Sequence, residues 1–102
     1  MTGYIDMASA DLVKEWNRLT KVDMPALATE REWPVHLDHC FQRILLDSAV
    51  GAKWRDVIAS PAYKNASDTQ LSRAIAYGRE VIAGRADLHD LNRNSLEWRG
   101  KL

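Results

Sequence analysis

Apolar residues follow helical spacing through most of the chain, and the most apolar stretch lies near its middle. At about 100° per residue, one face of this stretch carries Leu37, Cys40, Phe41, Ile44, Leu45 and Ser48. The opposite face carries Val35, Leu46 and Val50. A helix that is apolar on two sides is usually buried. We therefore predict a central buried helix over residues 35–50, with Pro34 at its first turn and Gly51 at its end.

The amino-terminal segment predicts an amphipathic helix that begins after Ser9. Ser9 suits an N-cap, and apolar residues then repeat at helical spacing over residues 12–20. The periodicity fails over residues 22–32, where Pro25 and a polar run indicate a connecting loop with room for one helical turn inside it. Residues 1–8 are expected to be a flexible lead-in.

The carboxyl-terminal half predicts two further helices. Ser67 and Gln70 have the spacing of a capping box that opens a helix ending at Gly84. Gly78 lies on the apolar face of that helix, so another helix, carrying one of the tryptophans, is expected to approach closely there. The last helix is predicted over residues 86–99, with an inward face of Leu88, Leu91 and Trp98.

A shorter helical turn is predicted over residues 52–59, with Trp54, Val57 and Ile58 buried. No segment alternates with period two for long enough to predict a strand. The sequence therefore predicts an all-α fold, a compact bundle of four main helices plus a short one around the central helix. Residues 1–102 are expected to form a single domain.

Composition removes several classes of function. Fourteen basic and fourteen acidic residues give a formal net charge of zero, which argues against nucleic acid as a partner. No apolar run approaches the ~18 residues of a membrane span, so no membrane association is expected. With one cysteine, Cys40, and no signal-peptide pattern at the start, the expected location is cytoplasmic.

Three residues are candidates for a metal site: His36, Cys40 and His89. The spacing i, i+4 would place His36 and Cys40 on one helix face. Structural zinc takes four protein ligands and catalytic zinc takes three. Because the chain has few other histidines and no second cysteine, the ligand count argues against metal, and no cofactor is expected.

A polar row follows one flank of the predicted central helix: His36, Cys40, Arg43 and Asp47. Arg43 and Asp47 are expected to pair on adjacent turns. The row either fixes how the helices register or forms a site in which Arg43 holds an anionic group. The chain carries no nucleophile elbow, Walker loop or dinucleotide-binding glycine motif, which favours a non-catalytic protein over an enzyme.

The segments PVHLDHCFQRILLDSAVGAKW, PAYKNASDTQL and LNRNSLEWRGK resemble a small helical domain associated with acetyltransferase-related proteins of bacteria and fungi. No catalytic residue is carried over, because the sequence predicts neither the mixed sheet nor the Gly-rich loop of acetyltransferases. The resemblance directs attention to a shared polar pocket where the central helix meets the last one. Its candidate residues are His39, Arg43, Asp47, Tyr63, Asn92, Ser95 and Arg99.

Three functions follow as hypotheses. The first is a non-catalytic accessory or regulatory module that binds a protein partner or forms a homo-oligomer. The second is a small-ligand or enzymatic site in the polar pocket, related to acetyltransferases. The third is metal binding.

Overall fold

The structure is a computed structural model that describes residues 8–102. Its α-helices are α1 (Ala10–Arg18), α2 (Met24–Leu27), α3 (Asp38–Val50), α4 (Ala62–Asn65), α5 (Asp68–Ile82) and α6 (Leu88–Trp98). A π-helical segment, Leu19–Asp23, joins α1 to α2, and a 3-10 turn, Trp54–Asp56, follows α3. The described residues contain no strand, so the predicted all-α class is confirmed. Apart from Ala8, the predicted lead-in lies outside the described residues.

Helix α3 is the centre of the fold, as predicted. Phe41, Ile44 and Leu45 are fully buried, and every residue over 44–49 is buried. The helix packs against α5, α6 and the π-helical segment. Each large apolar side chain buried in this way stabilises the fold by roughly 1.5–3 kcal/mol. A helix surrounded on several sides explains why its sequence is apolar on two faces.

The start of α3 differs from the prediction. The helix begins at Asp38, with Leu37 in extended conformation as the N-cap, so Pro34 does not open it. The Asp38 carboxylate accepts a hydrogen bond from the His39 backbone N–H at 2.8 Å. Leu37, placed on the buried face by the wheel, is 47% exposed because it lies before the helix. The predicted end is confirmed, since Gly51 adopts the left-handed conformation at φ 72°.

The helical turn allowed within the predicted loop over residues 22–32 is present as α2, but it continues directly from the π-helical segment, so the connecting loop begins only after Leu27. The Ser9 cap of α1 is confirmed by the bond from the Leu12 backbone N–H to Ser9 Oγ. Pro25 lies directly after the π-helical segment, where the Met24 N–H bonds to the Leu19 carbonyl and the hydrogen-bond register of the helix changes.

Helix α5 begins as predicted and packs as predicted. Both bonds of the Ser67–Gln70 capping box are present. Gly78 is buried, and a Cβ at this position would lie 2.6 Å from Leu19 Cδ2 and 3.1 Å from Leu45 Cδ1. The close approach predicted for Gly78 is therefore confirmed, although leucines and not a tryptophan cover it.

The segments around α4 and α6 depart from the predicted burial. Only three residues of the predicted turn over 52–59 are helical, and Val57 is exposed whereas Ile58 is buried. Trp98 is predicted to face inward on α6, but it is 42% exposed, and Leu88 supplies the buried apolar contact of that helix. No helix within residues 8–102 has the length and apolar character needed to cross a membrane.

Candidate functional site

The junction of α3 and α6 is built on the carboxylate of Asp47, which is fully buried. Asp47 Oδ2 accepts hydrogen bonds from Arg99 Nε at 2.7 Å and from Ser95 Oγ at 2.6 Å. Asp47 Oδ1 accepts from Arg99 Nη2 and from the Trp54 backbone N–H, each at 2.9 Å. One buried carboxylate therefore connects three elements of the fold.

The predicted pairing of Arg43 with Asp47 is wrong, because Arg99 binds that carboxylate instead. Arg99 reaches it with two N–H groups at once, the geometry that a guanidinium fork favours. Arg43 donates to two neutral acceptors on α6, Ser95 Oγ at 2.7 Å and Asn92 Oδ1 at 2.9 Å. Ser95 is the link, since its hydroxyl accepts from Arg43 and donates to Asp47.

The cluster carries unbalanced charge. Arg43 and Arg99 contribute two positive charges and Asp47 one negative charge, and no described carboxylate forms a salt bridge with Arg43. Burial lowers the pKa of the Arg43 guanidinium, and the positive charge of Arg99 lowers it further, while Cys40 and Asp47 act in the opposite direction. Such a half-buried cation is favoured by an anion placed beside it.

A cleft of about 810 Å³ opens beside this cluster, with α3 on one side and α1, the π-helical segment and the chain around residues 54–63 on the others. Four basic side chains line it, Lys21, Arg43, Arg55 and Arg99. Asp38 is the acidic residue in the lining. The cleft is therefore electropositive in a chain whose formal net charge is zero.

The wall of the cleft around residues 54–63 is aromatic and apolar. Trp54 is partly buried and is fixed by its backbone bond to Asp47, and the Arg55 guanidinium lies 5.3 Å from the centre of its ring. Tyr63, in α4, is 48% exposed. Pro61 also lines this wall, preceded by a cis peptide bond.

The opposite wall is held by a hydrogen-bond chain from α3 to α1. Gln42 Nε2 donates to Thr20 Oγ1 at 2.9 Å, and the Thr20 hydroxyl donates to the Trp16 carbonyl at 2.9 Å. Lys21, the next residue, lines the cleft. Its placement depends on the π-helical turn, which helical periodicity does not predict.

The structure assembles most of the predicted polar pocket. His39, Arg43, Tyr63 and Arg99 line the cleft. Asp47 and Ser95 are fully buried behind it, and Asn92 holds Arg43. Lys21 and Arg55 were missed, since each looked like an ordinary surface cation in the sequence.

The candidate metal ligands are not assembled. His36 lies before α3 and is exposed, Cys40 is a partly exposed free cysteine within α3, and His89 lies in the first turn of α6. Because His36 precedes the helix, the helical spacing predicted for it and Cys40 does not apply. No group of three or more His, Cys, Asp or Glu side chains with metal-site geometry occurs over residues 8–102.

Comparison with protein-family models, with curated proteins and with solved structures finds no match to this chain.

Proposed function

We propose that the protein is a non-catalytic helical binding module whose cleft holds an anionic ligand against Arg43. The observation that carries the proposal is the guanidinium of Arg43, half-buried beside the cleft and bonded only to neutral acceptors among the described residues. A partly desolvated cation gains more from an anion than an exposed one does. The two other nearby charges, on Asp47 and Arg99, are already paired with each other.

The surrounding cations support the same proposal. Lys21 and Arg55 line the cleft with Arg43, and their combined field would raise the local concentration of anions. The guanidinium fork of Arg43 has donors beyond the two that reach α6, and it suits the planar oxygens of carboxylate and phosphate groups.

Binding is favoured over catalysis because the reactive groups of the cluster are occupied. Asp47 is buried and accepts four hydrogen bonds, so it has no free access to a substrate proton. Ser95 is fully buried, so its hydroxyl is not an accessible nucleophile. A catalytic pair needs a base and a nucleophile that both reach the substrate.

Binding of a protein partner or formation of a homo-oligomer stays a prediction. We also propose a cytoplasmic location, with which the unpaired thiol of Cys40 is compatible. The described residues include six large apolar side chains that are exposed: Val22, Leu37, Val57, Tyr63, Trp98 and Leu102. Exposed apolar residues are ordinary on a protein surface. We therefore place the function in the cleft, beside the buried polar cluster.

The proposal is tested by a thermal-shift screen against inorganic phosphate, small carboxylates, nucleotides and coenzyme A, followed by titration of each stabilising compound. Coenzyme A is included because of the resemblance to acetyltransferase-related proteins, which stays a prediction. A ligand that binds the folded protein raises the melting temperature with its concentration. We expect at least one oxyanion class to do so.

Two variants locate the site. Arg43→Gln is expected to weaken binding by roughly 10- to 100-fold, the usual size of a lost charge-assisted contact. Arg93→Gln removes the same charge from an exposed position on α6 outside the cleft, and its affinity should match that of the parent. Equal affinities for the two variants, with circular dichroism showing both folded, would contradict the proposal. So would a screen in which no oxyanion raises the melting temperature.

A further inference from the structure

The cleft joins two kinds of surface, one cationic and one aromatic. Arg43 and Arg99 form the charged part at the α3–α6 junction, and Trp54 and Tyr63 belong to the aromatic and apolar part. Resting on the proposed function, we propose that the ligand is a small amphipathic oxyanion, a carboxylate or phosphate group joined to a planar aromatic body. Its charged end would contact Arg43, and its body would contact the wall that carries Trp54.

The aromatic wall is connected to the cationic cluster through the carboxylate of Asp47. The Asp47 carboxylate accepts hydrogen bonds from the side-chain N–H groups of Arg99 and from the backbone N–H of Trp54. The backbone of Trp54 is therefore held beside Arg99 by one fully buried group before any ligand arrives. A preorganised site binds more tightly because little conformational freedom is lost on binding.

The size of the cleft argues against a bare inorganic ion as the ligand. Its volume of about 810 Å³ lies within the range of roughly 300–1,000 Å³ that is usual for small-molecule sites. A single carboxylate or phosphate group fills a small part of that space. The remaining lining includes Pro61, which is exposed and whose apolar surface a hydrated ion would leave in contact with water.

The cations also suit a planar body. The Arg55 guanidinium, itself flat and delocalised, lies 5.3 Å from the centre of the Trp54 ring. A planar ligand body would extend this stack or take the place of the guanidinium on the indole. Aromatic bodies gain from such contacts with tryptophan and arginine as well as from the area they bury. A purely aliphatic anion of the same charge would gain only from the buried area.

The test compares matched pairs of compounds by titration calorimetry on the intact protein. Acetate is paired with phenylacetate and indole-3-acetate, and inorganic phosphate is paired with phenyl phosphate. We expect the aromatic member of the preferred pair to bind at least tenfold more tightly than its small partner, a gain typical of a well-packed ring. Comparison of the two series distinguishes a carboxylate ligand from a phosphate ligand.

Two substitutions place the aromatic body. Trp54→Leu is expected to remove most of the tenfold advantage while leaving the affinity for the small partner unchanged. Tyr63→Ala changes an exposed side chain, so folding is retained, and a smaller loss of the same kind is expected. A control substitution, Trp98→Leu, alters an exposed tryptophan outside the cleft and should leave every affinity unchanged.

The possible outcomes separate the inference from the proposed function. If small oxyanions bind through Arg43 and the aromatic compounds bind no better, this inference is overturned and the proposed function stands. The inference is also overturned if an acidic peptide binds more tightly than every aromatic compound, since the ligand would then be a polypeptide segment. If no member of either series binds, both proposals fail.

Discussion

Replacing Asp47 by Asn would test whether one buried charge holds α6 against α3. Asparagine has nearly the same shape, so the change removes the charge without opening a cavity. Asparagine keeps one acceptor oxygen, so only one of the bonds from Ser95 and from the Trp54 backbone persists, and an NH2 group that cannot accept stands at the other position. The two bonds from Arg99 would lose their charged acceptor and leave a cation without its partner.

The expected loss follows from the geometry of that ion pair. Removing one member of a buried pair costs about 3–5 kcal/mol, because the other charge stays desolvated. The Arg99 side chain is 17% exposed and regains some hydration, so we expect the lower end, about 3 kcal/mol. Domains of this kind are stable by only about 5–15 kcal/mol. The variant should therefore fold but with little reserve.

Urea unfolding followed by tryptophan fluorescence measures this loss. With a usual slope of about 1–3 kcal/mol per molar urea, the midpoint should fall by roughly 1–3 M. Asp90→Asn is the matched control, since Asp90 forms an exposed pair with Arg93 on α6, and its loss should stay below about 1 kcal/mol. Equal losses in the two variants would refute the structural role assigned to Asp47.

A double substitution strengthens the test. In the Asp47→Asn background, Arg99→Met removes the cation that the first change left unpaired. We expect the second change to restore part of the lost stability, because replacing both members of a buried pair by neutral groups is often tolerated. If Arg99→Met is equally harmful in both backgrounds, the two residues are not coupled in the folded state.

Three further predictions concern the backbone and the surface. Gly78→Ala should lower the free energy of unfolding by about 1 kcal/mol. The new methyl group would overlap the fully buried Leu19, at a cost of about 1–3 kcal/mol. This cost exceeds the gain in helix propensity of about 1 kcal/mol. Glu32→Gly should raise stability by about 1 kcal/mol, since Glu32 has φ 54° in a left-handed turn that glycine adopts freely. Arg85→Gln should raise the pKa of Glu80 toward its ordinary value near 4.5, as measured by NMR titration, because the hydrogen bond from Arg85 holds that pKa down.

Each of these predictions has an internal comparison. Ala76→Gly, at an exposed position of α5, measures the helix-propensity difference alone. In a Leu19→Ala background the space beside position 78 is open, so Gly78→Ala should there be stabilising. Glu32→Ala keeps the left-handed strain, so it should not reproduce the gain from glycine. Because the pKa of Glu80 is lowered, its small contribution to stability is present above the unfolded pKa and is lost as the pH falls through the folded value. An unchanged titration of Glu80 would exclude its bond with Arg85 in solution.

Local chemistry in the sequence determined where several elements begin, end and turn. The Ser67–Gln70 box and the Gly51 ending require only residues close together in the chain, and both occur as predicted. The helical wheel also identified α3 as the buried helix, because apolar residues on two faces need neighbours on two sides. Helical periodicity also placed the polar residues Arg43 and Asp47 together on one flank of an otherwise apolar helix.

The partners of those polar groups were decided only by the tertiary structure. Asp47 had one candidate arginine four positions away on its own helix, yet it binds Arg99, 52 positions further along the chain. Periodicity specifies which face of a helix a residue occupies, but not which distant side chain reaches that face. Because Arg99 takes the carboxylate of Asp47, Arg43 is left with the neutral acceptors Ser95 and Asn92 beside the cleft.

The path of the chain near Pro25 gives the same lesson for the backbone. Proline and a break in periodicity ordinarily end a helix, and the sequence accordingly predicted a loop. The π-helical turn shifts the hydrogen-bond ladder by one residue, so the helix continues to Leu27. Packing of Leu19 against Gly78 and the bond from Gln42 to Thr20 fix that turn from outside the segment. Local sequence thus determined which elements form and which faces are buried. The formation of the cleft was decided by long-range contacts, because only these contacts bring its walls together.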